Sequence, residues 1–322
     1  MSKDVEIWAE QIRKGDVRAV SRAISAVEDH GAQSEELLQR LFSYTGRAFV
    51  IGITGAPGTG KSTLVDRLAG HYRKAGEQVG IIAVDPTSPY TGGAILGDRI
   101  RMQGHAGDAG IFIRSMATRG FLGGLARATG EVALVLDAAG KQFILVETVG
   151  VGQDEVDIVR LADCTVVLLA PGLGDDVQNM KAGLMEIADI FVLNKSDREG
   201  ADRLEADLDA MLHLAPERDG RTPRVVRTVA TENKGVDELA VAIKDYREHF
   251  ASRLGPQDKK IDHWKRRLAA LAEDLFLRRA ISDGAGEALL AGLAREVAGR
   301  KKDPYAAARE LLAHADAKRK NE

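Results

Sequence analysis

Gly55-Ala56-Pro57-Gly58-Thr59-Gly60-Lys61-Ser62 fits the pattern G-x-x-x-x-G-K-[ST] and stands between an apolar stretch, Phe49 to Thr54, and an amphipathic one, Ser62 to Ala75. Strand, glycine-rich loop and helix in that order form the context in which this pattern binds phosphate. The glycines let successive backbone N–H groups curl inward around phosphate oxygens, and the helix N-terminus adds the positive end of its dipole. Lys61 is placed to reach the β- and γ-phosphates, and the Ser62 hydroxyl to ligate Mg²⁺. A glycine-rich turn that merely joins a strand to a helix leaves the four defining positions unexplained.

Outward from this loop, short strands alternate with helices from Ala48 onward, which predicts an α/β fold with a doubly wound, mostly parallel sheet covered on both faces. Strands are expected near Phe49 to Thr54, Val79 to Asp85, Ile111 to Arg114, Phe143 to Glu147, Thr165 to Ala170, Ile190 to Asn194 and Arg224 to Thr228. Helices are expected at Ser62 to Ala75, Gly123 to Ala139, Asp154 to Ala162, Gln178 to Ala188, Ala201 to Leu214 and Val236 to Arg253. Lys3 to Tyr44 reads as helical, with Val5, Ile7, Trp8, Ile12, then Val17, Val20, Ile24 and Val27 at three- and four-residue spacing and Asp16 as a cap. Beyond Pro256 the pattern is helical again, with one stripe at Ile261, Trp264, Leu268, Leu271 and Leu275 and further helices over Glu287 to Ala298 and Pro304 to Ala315. This tail has too few apolar residues for a core of its own and must pack on the core domain or on a second subunit. The expected organisation is a helical N-terminal extension (1–46), a phosphate-loop domain (47–254) and a helical C-terminal arm (255–322).

Composition narrows the function. The chain has 322 residues, 29% of them charged and 44% hydrophobic, which is ordinary for a soluble globular protein. A net charge of −3 argues against general nucleic-acid binding, which needs an excess of phosphate-neutralising cations. The single cysteine, Cys164, lies in an apolar run and allows no intramolecular disulfide. No apolar stretch approaches the roughly 18 residues of a membrane span, and the polar N-terminus lacks the features of a signal or transit peptide. A cytoplasmic protein with no membrane and no nucleic-acid partner is expected.

A phosphate loop does not choose the base. Asn194-Lys195-Ser196-Asp197 follows an apolar strand at the carboxyl end, where an open α/β sheet binds its ligand. Asp197 there can accept hydrogen bonds from N1–H and the 2-amino group of guanine. Adenine offers neither, so a buried unpaired carboxylate would penalise it. Asn194 is expected to hold the base edge and the loop, and the Lys195 stem to lie along the purine face. After the last core strand, Thr228-Val229-Ala230-Thr231 can offer the Ala230 N–H to guanine O6, with Val229 where serine is more usual. GTP and GDP are the expected ligands.

Three acids qualify for Mg²⁺ and the γ-phosphate. Asp85 and Glu147 end strands at the carboxyl edge, and Asp98 lies in the glycine-rich stretch after Asp85. Glu147-Thr148-Val149-Gly150 occupies the place of a D-x-x-G motif, in which the Gly150 N–H senses the γ-phosphate. Val151 stands where a Ras-type enzyme carries its water-positioning glutamine; Gln153 is two residues on. Slow intrinsic hydrolysis and activation by a partner are therefore expected.

Gly55 to Thr63, Asp85-Pro86-Thr87-Ser88, Thr91-Gly92-Gly93-Ala94-Ile95-Leu96-Gly97-Asp98-Arg99, Glu147 to Gln153 and Asn194 to Asp197 together resemble the MeaB/ArgK/MMAA family, SIMIBI-class G-protein chaperones of adenosylcobalamin-dependent methylmalonyl-CoA mutase. The resemblance covers essentially the full chain. It implies a homodimer joined through the C-terminal arm and a GTPase that gates cobalamin delivery and protects or reactivates the loaded mutase, with cobalamin held only through that partner. A cobalamin adenosyltransferase is a further implied partner. It also implies that Lys61, Ser62, Asp85, Asp98 and Glu147 match the phosphate and Mg²⁺ site. Residues 172–181, with Asp175 and Lys181, would match a third mobile loop through which the mutase stimulates hydrolysis; by themselves they read as an acidic strand-to-helix connection.

Three other readings compete. A kinase of an amino-acid transport system is compatible with the phosphate loop, but guanine selectivity is unusual for a kinase and no acceptor-binding module with an arginine lid is evident. A nickel-delivery GTPase needs metal-ligand clusters, whereas the seven histidines are scattered. A scaffold with a structural nucleotide fits poorly with two glycine-rich loops flanking a γ-phosphate position.

Overall fold

Near-continuous apolar runs form parallel strands because both faces of such a sheet are covered, and the pleat sends alternate side chains to opposite layers. The computed structural model describes residues 3–29, 31, 33–85, 107–117, 124–150, 161–172, 188–214, 222–253, 256–281 and 284–319. Within them β1 (Phe49–Gly55), β2 (Val79–Asp85), β3 (Ile111–Ala117), β4 (Phe143–Glu147), β5 (Cys164–Leu169), β6 (Ile190–Asn194) and β7 (Arg224–Thr228) form one sheet in the order β3-β2-β4-β1-β5-β6-β7. Every pairing is parallel. The chain builds outward from β1 through β2 and β3, returns to place β4 beside β1, then crosses to β5. The order reverses around β1, so the crevice at its carboxyl end is where such a sheet takes its ligand.

Two helices, α4 (Lys61–Lys74) and α7 (Val236–Arg253), cover one face. Leu64, Val65, Leu68 and Tyr72 meet Leu239, Ile243 and Tyr246 there, against Ile51, Ile53, Leu145, Val166 and Val192 of the sheet. The intervening residues Ile144 and Val146 point to the other layer, as period two requires. Fully burying one such aliphatic side chain contributes about 1.5–3 kcal/mol. α6 (Ala201–Leu214) closes the β5–β6 side through Leu204, Leu208 and Leu212 against Val167, Phe191 and Leu193.

The opposite face carries α1 (Lys3–Arg13), α2 (Val17–Glu28), α3 (Ser34–Phe42) and α5 (Gly124–Ala138). Val5, Trp8, Ile12, Val20, Ile24 and Leu37 share one core with Ile82, Val132, Leu136 and Val146, so the N-terminal helices are a layer of the sheet's own packing. Ile7 and Val17, expected on the same apolar pattern, are exposed. Asp16 caps α2, accepting from the Ala19 N–H at 2.7 Å, and the Trp8 indole N–H donates to the Ala19 carbonyl at 3.0 Å. The Asp137 carboxylate accepts the N–H groups of Gly46 and Ala48 at 2.5 and 3.0 Å, which fixes the entry into β1.

β3 runs three residues past the expected Arg114. Ser115, Met116 and Ala117 do not extend an apolar run, yet Ala83↔Ser115, Val84↔Met116 and Asp85↔Ala117 pair along the full length of β2. The helices expected at 154–162 and 178–188 fall outside the described residues except at their last positions, 161–162 and 188, which are not helical.

The chain divides into two compact units, Met1–Arg253 and Leu254–Glu322. The second consists of α8 (Pro256–Ile281), α9 (Gly284–Ala298) and α10 (Pro304–Arg319). Ala280, Leu293, Ala307 and Ala315 are buried in it, whereas Ile261, Leu268 and Leu275 of the α8 stripe are 46%, 59% and 46% exposed. Among the described residues no helix is long and apolar enough to cross a membrane.

Candidate functional site

The loop between β1 and α4 is shaped by its glycines and tied by its polar residues. Gly60 caps α4 with φ 101°, a left-handed conformation that disfavours a side chain, and a Cβ there would run into the Asn194 amide nitrogen. The Thr59 hydroxyl donates to the Ala56 carbonyl at 2.8 Å. Lys61 Nζ reaches back across the loop to the carbonyls of Gly55 at 2.8 Å and Ala56 at 3.3 Å, and the residue is 7% exposed. A buried ammonium held by backbone oxygens at the mouth of a helix N-terminus is a cation set in place for phosphate. Pro57 and Gly58 form the exposed crest, while Ser62 and Thr63 open α4.

Beside it, the Ser62 hydroxyl donates to Glu147 Oε1 at 2.6 Å, and both residues are buried. Glu147 ends β4 opposite Ala83 of β2, and Asp85 ends β2 two residues later, at the same carboxyl edge. The Thr148 N–H donates to the Ile53 carbonyl at 3.0 Å and its hydroxyl to that of Thr54 at 3.0 Å, locking the chain after β4 onto the end of β1. Gly150 follows with φ 89°; a Cβ there would collide with the Gly55 carbonyl and Lys61 Nζ. Its backbone therefore lies directly against the phosphate loop. A serine hydroxyl and a carboxylate in hydrogen-bond contact are hard oxygen donors of the kind Mg²⁺ prefers, so this corner fits that ion. Asp98, Val151, Gln153 and Lys181 lie outside the described residues.

At the base end, Asn194 holds the loop, as one half of its expected role requires. Its amide N–H donates to the Thr59 carbonyl at 2.8 Å, and its Oδ1 accepts from the Thr228 hydroxyl at 2.9 Å and the Ala230 N–H at 3.1 Å. The residue is buried, and a buried amide is directed by the partners that satisfy it. Asn194 thus joins the phosphate loop to the turn after β7. The Ala230 N–H, expected to serve guanine O6, is directed at Asn194. Lys195, with φ 57°, sends its ammonium to the Gly58 carbonyl at 2.6 Å, which stretches its stem from the base loop to the crest. Asp197 is exposed at the end of this loop. Ser196 is anchored through its N–H and hydroxyl to the Thr228 carbonyl, each at 3.1 Å. Val229 closes the turn through a two-way bridge with Lys234, and Thr231 is exposed.

Sequence reasoning missed the threonines that hold these parts together. Thr54, Thr148 and Thr228 are buried polar residues at the carboxyl ends of strands or just beyond them, and that position was the available signal. It also missed Arg227, whose guanidinium contacts Asp202 at 2.8 Å, Glu205 at 3.0 Å and the Ser196 carbonyl at 3.4 Å. The hydrogen bond to Asp202, then the two acids' charge, pushes the Arg227 pKa up.

The chain is similar to several known proteins. The family described as methylmalonyl-CoA mutase-associated GTPase MeaB matches residues 17–285. A protein of Pyrococcus abyssi named as a GTPase is 50% identical over 310 residues, covering 94% of each chain. The mouse methylmalonic aciduria type A homolog, mitochondrial, is 33% identical over 255 residues, covering 74% of this chain and 61% of its own. A crystal structure titled as an LAO/AO transport system kinase superposes with a TM-score of 0.71 at 28% identity, covering 97% of each chain.

Proposed function

Since the chain belongs to the methylmalonyl-CoA mutase-associated GTPase family MeaB and is a P-loop GTPase, we propose that it is a guanine-nucleotide switch serving a cobalamin-dependent acyl-CoA mutase. In this reading it gates adenosylcobalamin delivery to the mutase and protects or reactivates the loaded enzyme. Cobalamin is held by the partner, methylmalonyl-CoA mutase or a close relative, and a cobalamin adenosyltransferase is a second partner. The protein acts in the cytoplasm as a homodimer joined through its C-terminal arm.

The observation that supports this most is the corner formed by Lys61, Ser62, Glu147 and Gly150. The backbone N–H groups from Gly55 to Thr63 hold the phosphates, and Lys61 moves from its two carbonyls onto the β- and γ-oxygens. Ser62 and Glu147, with Asp85 and Asp98, would hold Mg²⁺, whose charge supports the leaving phosphate. Gly150 lies against the loop and Lys61, so departure of the γ-phosphate changes its surroundings first. Asp197 selects guanine, while Asn194, Val229, Ala230 and Thr231 shape the base side and Lys195 lies along the purine. Val151 in place of a water-positioning glutamine makes intrinsic turnover slow, with Gln153 and Lys181 entering when the partner binds.

Phosphate release from GTP, measured alone and with increasing mutase, tests this reading. Stimulation of at least about tenfold, saturating at stoichiometric mutase, is expected for a partner-activated switch. A rate unchanged across the titration would refute it. The similarity to a protein titled as a transport-system kinase supports a second reading, and the same assay distinguishes it: a kinase retains the γ-phosphate on an acceptor protein instead of releasing it.

A further inference from the structure

We infer that Arg67 is a positioning residue for the guanine end of the site, coupling the phosphate-loop helix to the turn after β7; this rests on reading 194–197 and 229–231 as the base-binding segments. Arg67 lies in the second turn of α4, six residues after the lysine that opens it. Its Nε donates to the Ala230 carbonyl at 3.2 Å, and its terminal nitrogen to the Thr231 carbonyl at 3.5 Å. These are the middle residues of the turn that Asn194 holds from the other side, through the Ala230 N–H at 3.1 Å. Asn194 in turn holds the Thr59 carbonyl of the phosphate loop at 2.8 Å.

The contacts close a circuit. It runs from Thr59 through Asn194 to Ala230, from Ala230 to Arg67, and along one rigid helix back to Lys61. Three of its links are made by side chains, and Arg67 brings a charge to the turn from α4. A trans peptide fixes its C=O and N–H in opposite directions, so drawing the Ala230 carbonyl toward α4 turns the Thr231 N–H away from it. Arg67 therefore sets the orientation of the Ala230–Thr231 peptide, the neighbour of the one whose N–H is held by Asn194, and so fixes the turn that carries the Ala230 N–H. One helical turn further on, His71 Nδ1 lies 2.7 Å from Asp237 Oδ1 in the first turn of α7, so α4 is fastened to both ends of the segment 230–237. A helix held at its N-terminus by phosphate and along its side by the base turn makes the two halves of the nucleotide bind as one ligand.

The test uses the full chain with Arg67→Ala and Arg67→Lys, and compares GDP with inorganic tripolyphosphate, which occupies the phosphate loop but has no base. Losing one charge-assisted contact predicts a rise of about five- to tenfold in the GDP dissociation constant for Arg67→Ala. The KM for GTP should rise in step, kcat should change less than about twofold, and Arg67→Lys should regain part of the loss. Tripolyphosphate affinity should not move. Equal weakening of both ligands would assign Arg67 a general structural role and overturn the inference, as would unchanged GDP affinity. Asp197→Asn separates this from the underlying reading, because an amide at that position prefers xanthine, which carries oxygen where guanine carries an amino group. If Asp197→Asn fails to shift preference from GDP to XDP, the base-site reading falls; if it shifts while Arg67→Ala changes nothing, only the role of Arg67 falls. Thermal melting checks that each variant is folded, and should Arg67→Ala not fold, the comparison of GDP with tripolyphosphate is made on Arg67→Lys.

Discussion

The two edges of the central sheet are built from opposite materials. At the carboxyl edge, Thr54, Lys61, Ser62, Glu147, Thr148, Asn194 and Thr228 are polar and buried. At the amino edge, Phe49 meets Phe143 edge-on at 6.5 Å, Tyr72 stacks on Phe143 at 3.9 Å, and Arg247 lies over both phenylalanine rings. Arg73 grips Asp108 through two 2.9 Å hydrogen bonds there, and Lys141 donates to the Gly110 carbonyl at 3.0 Å. Burial pushes the Lys141 pKa down, assisted by Arg73. Buried polar groups are costly unless they satisfy one another or a ligand, so the carboxyl edge is organised for binding and the amino edge for stability.

Substitutions on the two edges should therefore separate activity from stability. The largest effect is expected for Lys61→Ala, which removes the cation proposed for the phosphates: GTP turnover should fall by about 10²–10³-fold, with thermal unfolding little changed. Comparable melting loss and activity loss would show that the lysine is structural. Phe49→Ala, at the opposite edge, should cost about 3 kcal/mol in denaturant unfolding while turnover per folded molecule persists. A loss of turnover beyond the unfolded fraction would break the division between the edges.

A smaller effect is expected for Glu147→Gln, which keeps a partner for Ser62 but removes a charge. The Mg²⁺ concentration for half-maximal turnover should rise about tenfold; an unchanged Mg²⁺ requirement would remove Glu147 from the ion's shell. The smallest concerns Tyr72, 7% exposed, whose phenol is pushed up by burial and then by Cys164. Its folded pKa lies above the unfolded value of about 10, so its contribution is present below that pH and is lost as pH rises through it. Relative to Tyr72→Phe, the wild-type protein should lose stability above about pH 10, by up to about 1.4 kcal/mol per pH unit. Parallel pH profiles for the two proteins would contradict this.

The division also explains what was legible in the sequence. β1, β4, β5 and β6 announce themselves as apolar runs because each is covered on both faces, and Gly55 to Ser62 announces the phosphate loop through its residue types. The last residues of β3 do not, because an edge strand needs no continuous apolar run. The partners of Asn194 were not readable either: Thr59 is 135 residues away and Thr228 is 34, so only the folded sheet brings them together. A motif tells which residue types a site needs; which of them face the ligand and which hold its loops is decided by burial.

The central claim is that the carboxyl edge of this sheet is a guanine-nucleotide site read by Asp197. It is tested most directly by displacing bound fluorescent GDP with GTP and with ATP in the presence of Mg²⁺. The account predicts displacement by GTP at concentrations at least about a hundredfold lower than by ATP, because adenine leaves the carboxylate without its donors. Displacement by ATP and GTP at similar concentrations would contradict it.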